Sequence, residues 1–320
     1  MSLTDAPVRS TGRTDLGPGL QLRGLVRRFG DLTAVDDVSF DVPPGVMTGF
    51  VGGNGAGKTS TMRLAMGLLA ADAGEVSWQG RPVTWADRTT FGYMPEERGL
   101  YPKQKVVDQL VYLGRLKGLS QTDARSRAVT LLGRFGLGDR TEDPLEKLSL
   151  GNQQRVQVIA AVISSPPLLV LDEPFSGLDP DAVDDMAELL GEHAAAGVPV
   201  LFSSHQLDLV DRLCDRLVVM AGGRVRAAGG VDELRAAAPM RWRLVLGGDA
   251  GWVRDHAAGV ADLQVLDVEG STALLDPPAD PGSRDRVSAD LLTEALRRGS
   301  VRELAHVVPT LSDIYREVTA

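Results

Sequence analysis

The residues Gly52-Gly53-Asn54-Gly55-Ala56-Gly57-Lys58-Thr59-Ser60 contain the pattern G-x-x-x-x-G-K-[ST], whose chemistry is phosphate capture. Its glycines let the backbone curl until successive N–H groups point at one phosphate, and the positive end of a following helix adds to them. Lys58 is placed to reach the β- and γ-phosphates of a nucleoside triphosphate, and the Thr59 hydroxyl to ligate Mg²⁺. The chain has only five lysines, so a lysine at this position is not incidental. A second constellation follows 114 positions after Lys58, where the apolar run Leu168-Leu169-Val170-Leu171 ends in Asp172-Glu173. Such a run reads as a buried parallel strand delivering carboxylates at its C-terminal end, where open α/β sheets bind ligands. Asp172 would hold Mg²⁺, directly or through water, and Glu173 would polarise an attacking water. Alone, the acidic pair would more often be a surface turn.

Between these two sets lies Leu148-Ser149-Leu150-Gly151-Asn152-Gln153-Gln154-Arg155, leading into an apolar helix over residues 156–163. Ser149 reads as its N-cap, with Gln153 near the capping-box position. That structural reading agrees with a functional one, because a capped helix N-terminus is also an anion site. Ser176-Gly177-Leu178-Asp179-Pro180 comes next, and then Ser203-Ser204-His205 after a further apolar strand over residues 198–202. A lone histidine is usually structural. One at the end of a strand beside the acidic strand is a candidate γ-phosphate contact.

These residues need a frame to hold them. Residues 46–51 read as a strand and 60–69 as a helix, on either side of the phosphate loop. Residues 20–29 and 34–42 read as antiparallel strands joined at Gly30-Asp31, with further strands near 74–78 and 91–94. From residue 106 to about 136 the pattern is helical, with Leu110, Leu113, Leu116 and Leu119 and then Ala128, Leu131, Leu132 and Phe135 as an internal core. Strand–helix alternation over residues 167–229 predicts a parallel sheet. Pro239 marks the next boundary. Beyond it come a strand at 241–246, a helix at 251–258, strands at 263–268 and 272–275, a loop at 276–285, a helix at 287–298 and a strand at 301–307. That β-α-β-β-α-β order is that of a ferredoxin-like sandwich, closed by a helix over residues 310–318. The expected division is a loose tail over 1–18, a domain over 19–238 with a helical insert at about 103–165, and an α+β accessory domain over 239–320. The accessory half shows no catalytic constellation; a regulatory or dimer-contact role and a plain structural appendage stand as equal alternatives.

Over about residues 20–235 the chain resembles the nucleotide-binding subunit of ATP-binding cassette (ABC) transporters. Lys58 falls on the Walker A loop and Asp172-Glu173 on Walker B; Leu148 to Asn152 match the LSGGQ signature, Ser176 to Asp179 the D-loop, and His205 the H-loop. Phe29 stands where the family places an aromatic that stacks on adenine, and Tyr93-Met94-Pro95-Glu96-Glu97 stands at the Q-loop. The resemblance implies an α/β P-loop NTPase cassette, with a parallel-sheet core, an antiparallel β subdomain and a helical subdomain. It implies ATP and Mg²⁺ as ligands: Gly52, Asn54, Gly55, Ala56, Gly57, Lys58, Thr59, Ser60, Phe29 and Glu96 on the chain's own nucleotide, with Thr59, Asp172 and Glu96 toward the metal. Glu173 and His205 would be catalytic, and Ser149, Gly151, Asn152 and Asp179 would cap the ATP of a second subunit. Three positions depart from the pattern. Leu150 and Asn152 replace Gly and Gln in the signature, Glu96 replaces the Q-loop Gln, and Gly53 replaces a frequent Pro. None removes Lys58, Asp172, Glu173 or His205.

The implied partners are a second ATPase subunit, expected as a homodimer, and an integral-membrane permease; the implied location is the cytoplasmic face of the plasma membrane. Export is favoured by the likeness of Glu96-Glu97-Arg98-Gly99-Leu100-Tyr101-Pro102 and of Thr310-Leu311-Ser312-Asp313-Ile314-Tyr315 to ABC-2-type exporters. An importer ATPase is the first alternative; a non-transport cassette protein acting on nucleic acid or ribosomes is the second. Against the second, the span from Lys58 to Ser149 carries no heptad run or CxxC pair, and the chain has one cassette rather than two. A net charge of −9 without a basic stripe disfavours nucleic acid as a partner. The single cysteine, Cys214, fits a reducing compartment, and no stretch approaches the roughly 20 apolar residues of a membrane span. Residues 1–18 lack the apolar core of a signal peptide.

Overall fold

Alternating apolar residues and a two-residue turn at Gly30-Asp31 join β1 (Leu20–Phe29) to β2 (Leu32–Val42), with Leu20 opposite Val42 and Phe29 opposite Leu32. The computed structural model describes residues 18–97 and 99–319. Apart from Pro18, the tail expected over residues 1–18 lies outside them, as does Arg98. After β3 (Met47–Gly52) and α1 (Lys58–Ala65), β4 (Ala73–Trp78) pairs with the other edge of β1 and β5 (Arg81–Pro82) extends the antiparallel sheet. Helix α1 begins two residues before the expected start and stops before Gly67, whose φ of 69° takes the chain out of the helical region.

The short helix α2 (Trp85–Thr90) is not legible as a periodicity, since six residues make under two turns. A capping box explains it: Asp87 N–H donates to Thr84 Oγ1 at 3.2 Å and Thr84 N–H to Asp87 Oδ2 at 2.8 Å. Next come β6 (Gly92–Met94), α3 (Val106–Leu116), α4 (Gln121–Arg134), α5 (Leu150–Val162), β7 (Leu169–Leu171), α6 (Pro180–Ala195), β8 (Val200–Ser204), α7 (Leu207–Leu213), β9 (Arg216–Ala221), β10 (Arg224–Gly230) and α8 (Val231–Ala237).

Six of these strands form one sheet in the order β10-β9-β3-β8-β7-β6, parallel from β9 to β6 and closed at one edge by the antiparallel β10. The inner strands β3, β7 and β8 are buried throughout and mostly apolar because both faces are covered, as continuous runs such as residues 168–171 require; Thr48, Ser203 and Ser204 are the polar exceptions. One face meets the antiparallel sheet, where Phe40 and Phe50 lie 5.2 Å apart within a single core that also holds Leu20, Val170, Leu201 and Met220. The other carries α7, which approaches β3 so closely that a Cβ at Gly49 would lie 2.5 Å from Val210 Cγ1. Because β3, β7 and β8 run parallel, the phosphate loop, the acidic pair and His205 all leave the sheet at the same end.

Helices α3, α4 and α5 pack on one another. The buried face of α3 is Val106, Val107, Leu110, Val111 and Gly114 rather than the expected leucine stripe, and Leu116 is 65% exposed. A strict three-residue step falls about 60° short of a turn each time, so the later leucines rotate off the core.

The chain divides into two compact units after Val231. Helix α8 therefore groups with the second unit, and Pro239 follows the end of that helix rather than marking the division. In the second unit β11 (Arg241–Leu246), α9 (Val253–Ala258), β12 (Gln264–Glu269), β13 (Thr272–Asp276), α10 (Pro281–Arg298), β14 (Val301–Val307) and α11 (Leu311–Thr319) follow in turn. The strands form an antiparallel sheet in the order β12-β13-β11-β14, which is ferredoxin-like topology. Trp242, Leu244, Leu246, Val253, Leu275 and Leu291 fill its core. The loop expected up to residue 285 is shorter than read, because Asp280 caps α10 through a 2.7 Å bond from Ser283 N–H and Pro281 sits in the first turn.

Candidate nucleotide-binding site

The phosphate loop has the shape its glycines predict. Gly55 and Gly57 have φ values of 76° and 102°, and a Cβ at Gly57 would lie 2.4 Å from the Ala34 carbonyl oxygen. Gly52 is buried, whereas Gly53, Asn54 and Gly55 are exposed at the crest and Ala56 turns inward. Gly57 is the N-cap of α1 and offers no side chain, so the N–H groups at the helix start, from Gly57 through Lys58 and Thr59 to Ser60, have no intrahelical acceptor. Lys58 is buried. Its ammonium donates to the Gly52 carbonyl at 2.7 Å and to that of Gly53 at 3.4 Å. Thr59 Oγ1 donates to Glu96 Oε2 at 3.4 Å, which brings the Glu96 loop to the start of α1.

At the end of β7, Asp172 is 1% exposed. Its Oδ1 accepts a 2.6 Å bond from Ser203 Oγ, while Oδ2 is buried without a donor. A buried carboxylate oxygen left unpaired asks for a cation. Such an oxygen, like the Thr59 hydroxyl and the Glu96 carboxylate, is a donor of the type that a small hard cation such as Mg²⁺ takes. Glu173 follows with φ at 52°, a left-handed conformation that costs a non-glycine residue about 1–3 kcal/mol. Its carboxylate lies 3.0 Å from His205 Nδ1. Burial holds the Glu173 carboxyl above the usual range; His205 and Lys58 pull it back down, and Asp172 pushes it up.

Helix α5 braces both loops from one side. Gln154 Nε2 donates to the carbonyls of Glu173 at 2.9 Å and Pro174 at 3.2 Å; Gln157 Nε2 donates to those of Pro95 at 3.0 Å and Glu97 at 3.1 Å. At the exposed start of α5, Ser149 accepts from Asn152 N–H at 3.3 Å. Gln153 does not complete a capping box, since its amide turns to the Leu148 carbonyl at 2.9 Å. Gly151 is set against the 176–179 loop: a Cβ there would lie 3.0 Å from the Gly177 carbonyl oxygen. Asp179 caps α6 through a 2.8 Å bond from Ala182 N–H and meets Arg155 at 3.4 Å. Phe29 is 46% exposed, with the Arg27 guanidinium 4.8 Å from its ring centroid and Arg27 tied to Asp72 at 3.1 Å.

The sequence-predicted residues thus gather in two groups. Lys58, Thr59, Glu96, Asp172, Glu173 and His205 converge at the C-terminal edge of the parallel sheet. Ser149, Gly151, Asn152 and Asp179 form a second group, and no hydrogen bond or ion pair among the described residues joins them to the phosphate loop. Ser203, Gln154 and Gln157 were not singled out by sequence reasoning. Their signal is polarity where burial is expected: a serine in an apolar strand, and amides on the inner face of a helix.

The sequence profile of the family described as ABC transporter matches residues 35–176. The chain is 46% identical over 216 residues to the uncharacterized ABC transporter ATP-binding protein YhaQ of Bacillus subtilis (strain 168), covering 68% of this chain and 72% of that one. The chain belongs to the ABC transporter ATP-binding proteins. A relative of the same description from Alkalihalophilus pseudofirmus is 37% identical over 267 residues, 83% of this chain and 97% of its own length. A match of that length must continue past Val231 into the second unit. Nod factor export ATP-binding protein I of Ralstonia nicotianae is 36% identical over 220 residues, 68% of each chain. Among solved structures, one described as the ATP-binding subunit of an ABC transporter superposes with a TM-score of 0.64 at 33% identity, covering 68% of this chain and 92% of that one. The first unit is therefore an ABC cassette, and the convergent group lies within it. No helix among the described residues of this ABC protein is long and apolar enough to cross a membrane.

Proposed function

We propose that this ABC ATP-binding protein hydrolyses MgATP as a dimer and so drives export through a separate membrane permease. The observation that carries the reading is the meeting of Lys58, Asp172, Glu173 and His205 at one edge of the sheet, beside a helix start whose N–H groups, from Gly57 to Ser60, have no intrahelical acceptor. The backbone N–H groups of Gly55 and of Gly57 to Ser60 bind the phosphates, while that of Ala56 is held by the Gly53 carbonyl at 3.1 Å and shapes the loop; the Lys58 ammonium exchanges loop carbonyls for phosphate oxygens. Thr59, Asp172 and Glu96 would hold Mg²⁺, which when bound neutralises charge across the β- and γ-phosphates. Glu173, raised in pKa but drawn down by His205 and Lys58, takes a proton from the attacking water. His205, exposed beyond it, faces the γ-phosphate. Ser149, Gly151, Asn152 and Asp179 act on the nucleotide of the second copy, a role supported by the exposure of Ser149 and Asp179, the partial exposure of Gly151 and Asn152, and the lack of any hydrogen bond or ion pair among the described residues from the four to this chain's own phosphate loop. Export is supported by the likeness to a Nod factor export protein.

Affinity capture of the tagged chain from detergent-solubilised membranes tests the whole. A polytopic membrane protein in stoichiometric yield, in a complex that hydrolyses ATP, is the expected result. Recovery of ribosomes or nucleic acid alone would overturn the transport reading; a permease complex without turnover would overturn the enzymatic one.

Phe29 is assigned to the adenine because one face of its ring meets Arg27 and the residue remains half exposed. A ring face reads no hydrogen-bond pattern, so other purine triphosphates should also serve. Phe29→Ala is expected to raise KM for ATP about five- to tenfold, toward the lower end of base–aromatic stacking, with Phe29→Tyr nearly silent. An unchanged KM in the alanine variant would place the adenine elsewhere.

A further inference from the structure

Two serines precede His205, and the fold uses them differently. Ser204 accepts a hydrogen bond from Gln206 N–H at 3.0 Å and so serves the turn into α7. Ser203 is fully buried in a parallel strand, where a hydroxyl is unfavourable unless paired. Both its partners lie at the end of the neighbouring strand. Its Oγ donates to Asp172 Oδ1 at 2.6 Å and accepts from Glu173 N–H at 2.8 Å.

A hydroxyl has one proton, and here it is spent on Asp172. The acceptor is Oδ1, which is thereby engaged, and this leaves Oδ2 as the oxygen with no hydrogen-bond partner among the described residues. The same Oγ holds the N–H of Glu173, whose backbone sits at a φ of 52°. One buried atom thus sets the rotamer of one acidic side chain and the backbone of the next. We propose that Ser203 is a positioning residue: it turns Asp172 so that Oδ2 is presented to the nucleotide-bound Mg²⁺, and it anchors Glu173 in the conformation that aims its carboxylate at His205. This rests on the reading of the site as a MgATP site. Loss of a group that orients a metal's ligand without touching the metal typically lowers metal affinity by about 10- to 100-fold.

The test is calorimetric titration of the full-length chain with the non-hydrolysable analogue AMP-PNP, with Mg²⁺ and with EDTA. The wild type is expected to gain affinity from Mg²⁺. In Ser203→Ala that gain should shrink at least about tenfold while affinity in EDTA stays within about twofold. Ser203→Thr should restore the gain and Ser203→Val, of the same shape but without a hydroxyl, should not. This contrast separates positioning from packing, since both variants add the same bulk to a filled strand. Ser203→Cys, close in size and a weak donor, serves if the alanine chain does not fold, and should show an intermediate loss. Melting of the nucleotide-free variants, followed in parallel, reports any packing defect without bearing on the magnesium gain. A wild-type magnesium gain in the alanine, valine or cysteine variant would overturn the role of Ser203 alone. No magnesium gain in the wild type would overturn the MgATP reading itself, and this inference with it.

Discussion

Glu173→Gln is expected to cut ATP turnover by at least about a hundredfold, the scale of a lost general base, while ATP still binds. The substitution is nearly isosteric. Glutamine can occupy the same left-handed backbone, keep the 2.8 Å bond from its N–H to Ser203, and still meet His205 through its amide oxygen. What it cannot do is accept a proton from water at neutral pH. Glu173 is suited to that task because burial raises its proton affinity while His205 and Lys58 keep the rise in check. Phosphate release in the steady state and equilibrium ATP binding, measured on the same preparation, separate the two effects. With hydrolysis blocked, an ATP-loaded dimer should accumulate and be visible by size-exclusion chromatography. Near-normal turnover would remove Glu173 from the role and leave His205 as the candidate base.

Ser149→Arg should abolish both the dimer and hydrolysis while leaving nucleotide binding by the single chain intact. Ser149 is exposed at the start of α5, so the arginine side chain meets solvent in the monomer. The local cost is the lost cap, typically about 1 kcal/mol, with a smaller penalty for a cation at a helix N-terminus. Neither unfolds a cassette of this size. In a dimer the same side chain would fill the place where the partner's γ-phosphate meets the helix end. Ser149→Ala, which loses the hydroxyl and the cap without adding bulk, is the control for the arginine side chain: it should still form the dimer, with turnover reduced rather than abolished. In the Glu173→Gln background the arginine variant should no longer trap a dimer. If Ser149→Arg hydrolyses ATP at the normal rate, the interfacial role given to this residue is wrong.

Most of the frame was legible because its signals are redundant. The run Leu168-Leu169-Val170-Leu171 is apolar at every position, which only a strand covered on both faces demands, and the acids that follow it mark the ligand end of the sheet. The phosphate loop carries its own geometry in Gly55 and Gly57. Signals that were weak or misleading had identifiable causes. Helix α2 is too short for a period and is announced only by Thr84 and Asp87. Proline at residue 281 reads as loop when weighed alone, but beside Asp280 it is a helix start. The leucines after Leu110 keep a spacing of three, and the helix does not. Within the site, residues that would face the nucleotide were found by motif, whereas Ser203 and Gln154, although quoted beside motif residues, and Gln157 bond to other protein groups and were given no role. Their roles exist only in three dimensions.

The two glutamines of α5 give the site a mechanical property. Ser149 and Gln157 lie eight residues apart on one rigid rod, about 12 Å at 1.5 Å per residue, with Gln154 between them. Gln154 grips the chain just after the acidic pair, and Gln157 grips the strap of backbone that carries Glu96. Sliding or tilting the rod without moving both straps would break four amide hydrogen bonds, each worth about 1 kcal/mol. A push delivered at the exposed tip of the rod would therefore reach its far grips as displacement, and the two acidic loops would move as one linkage.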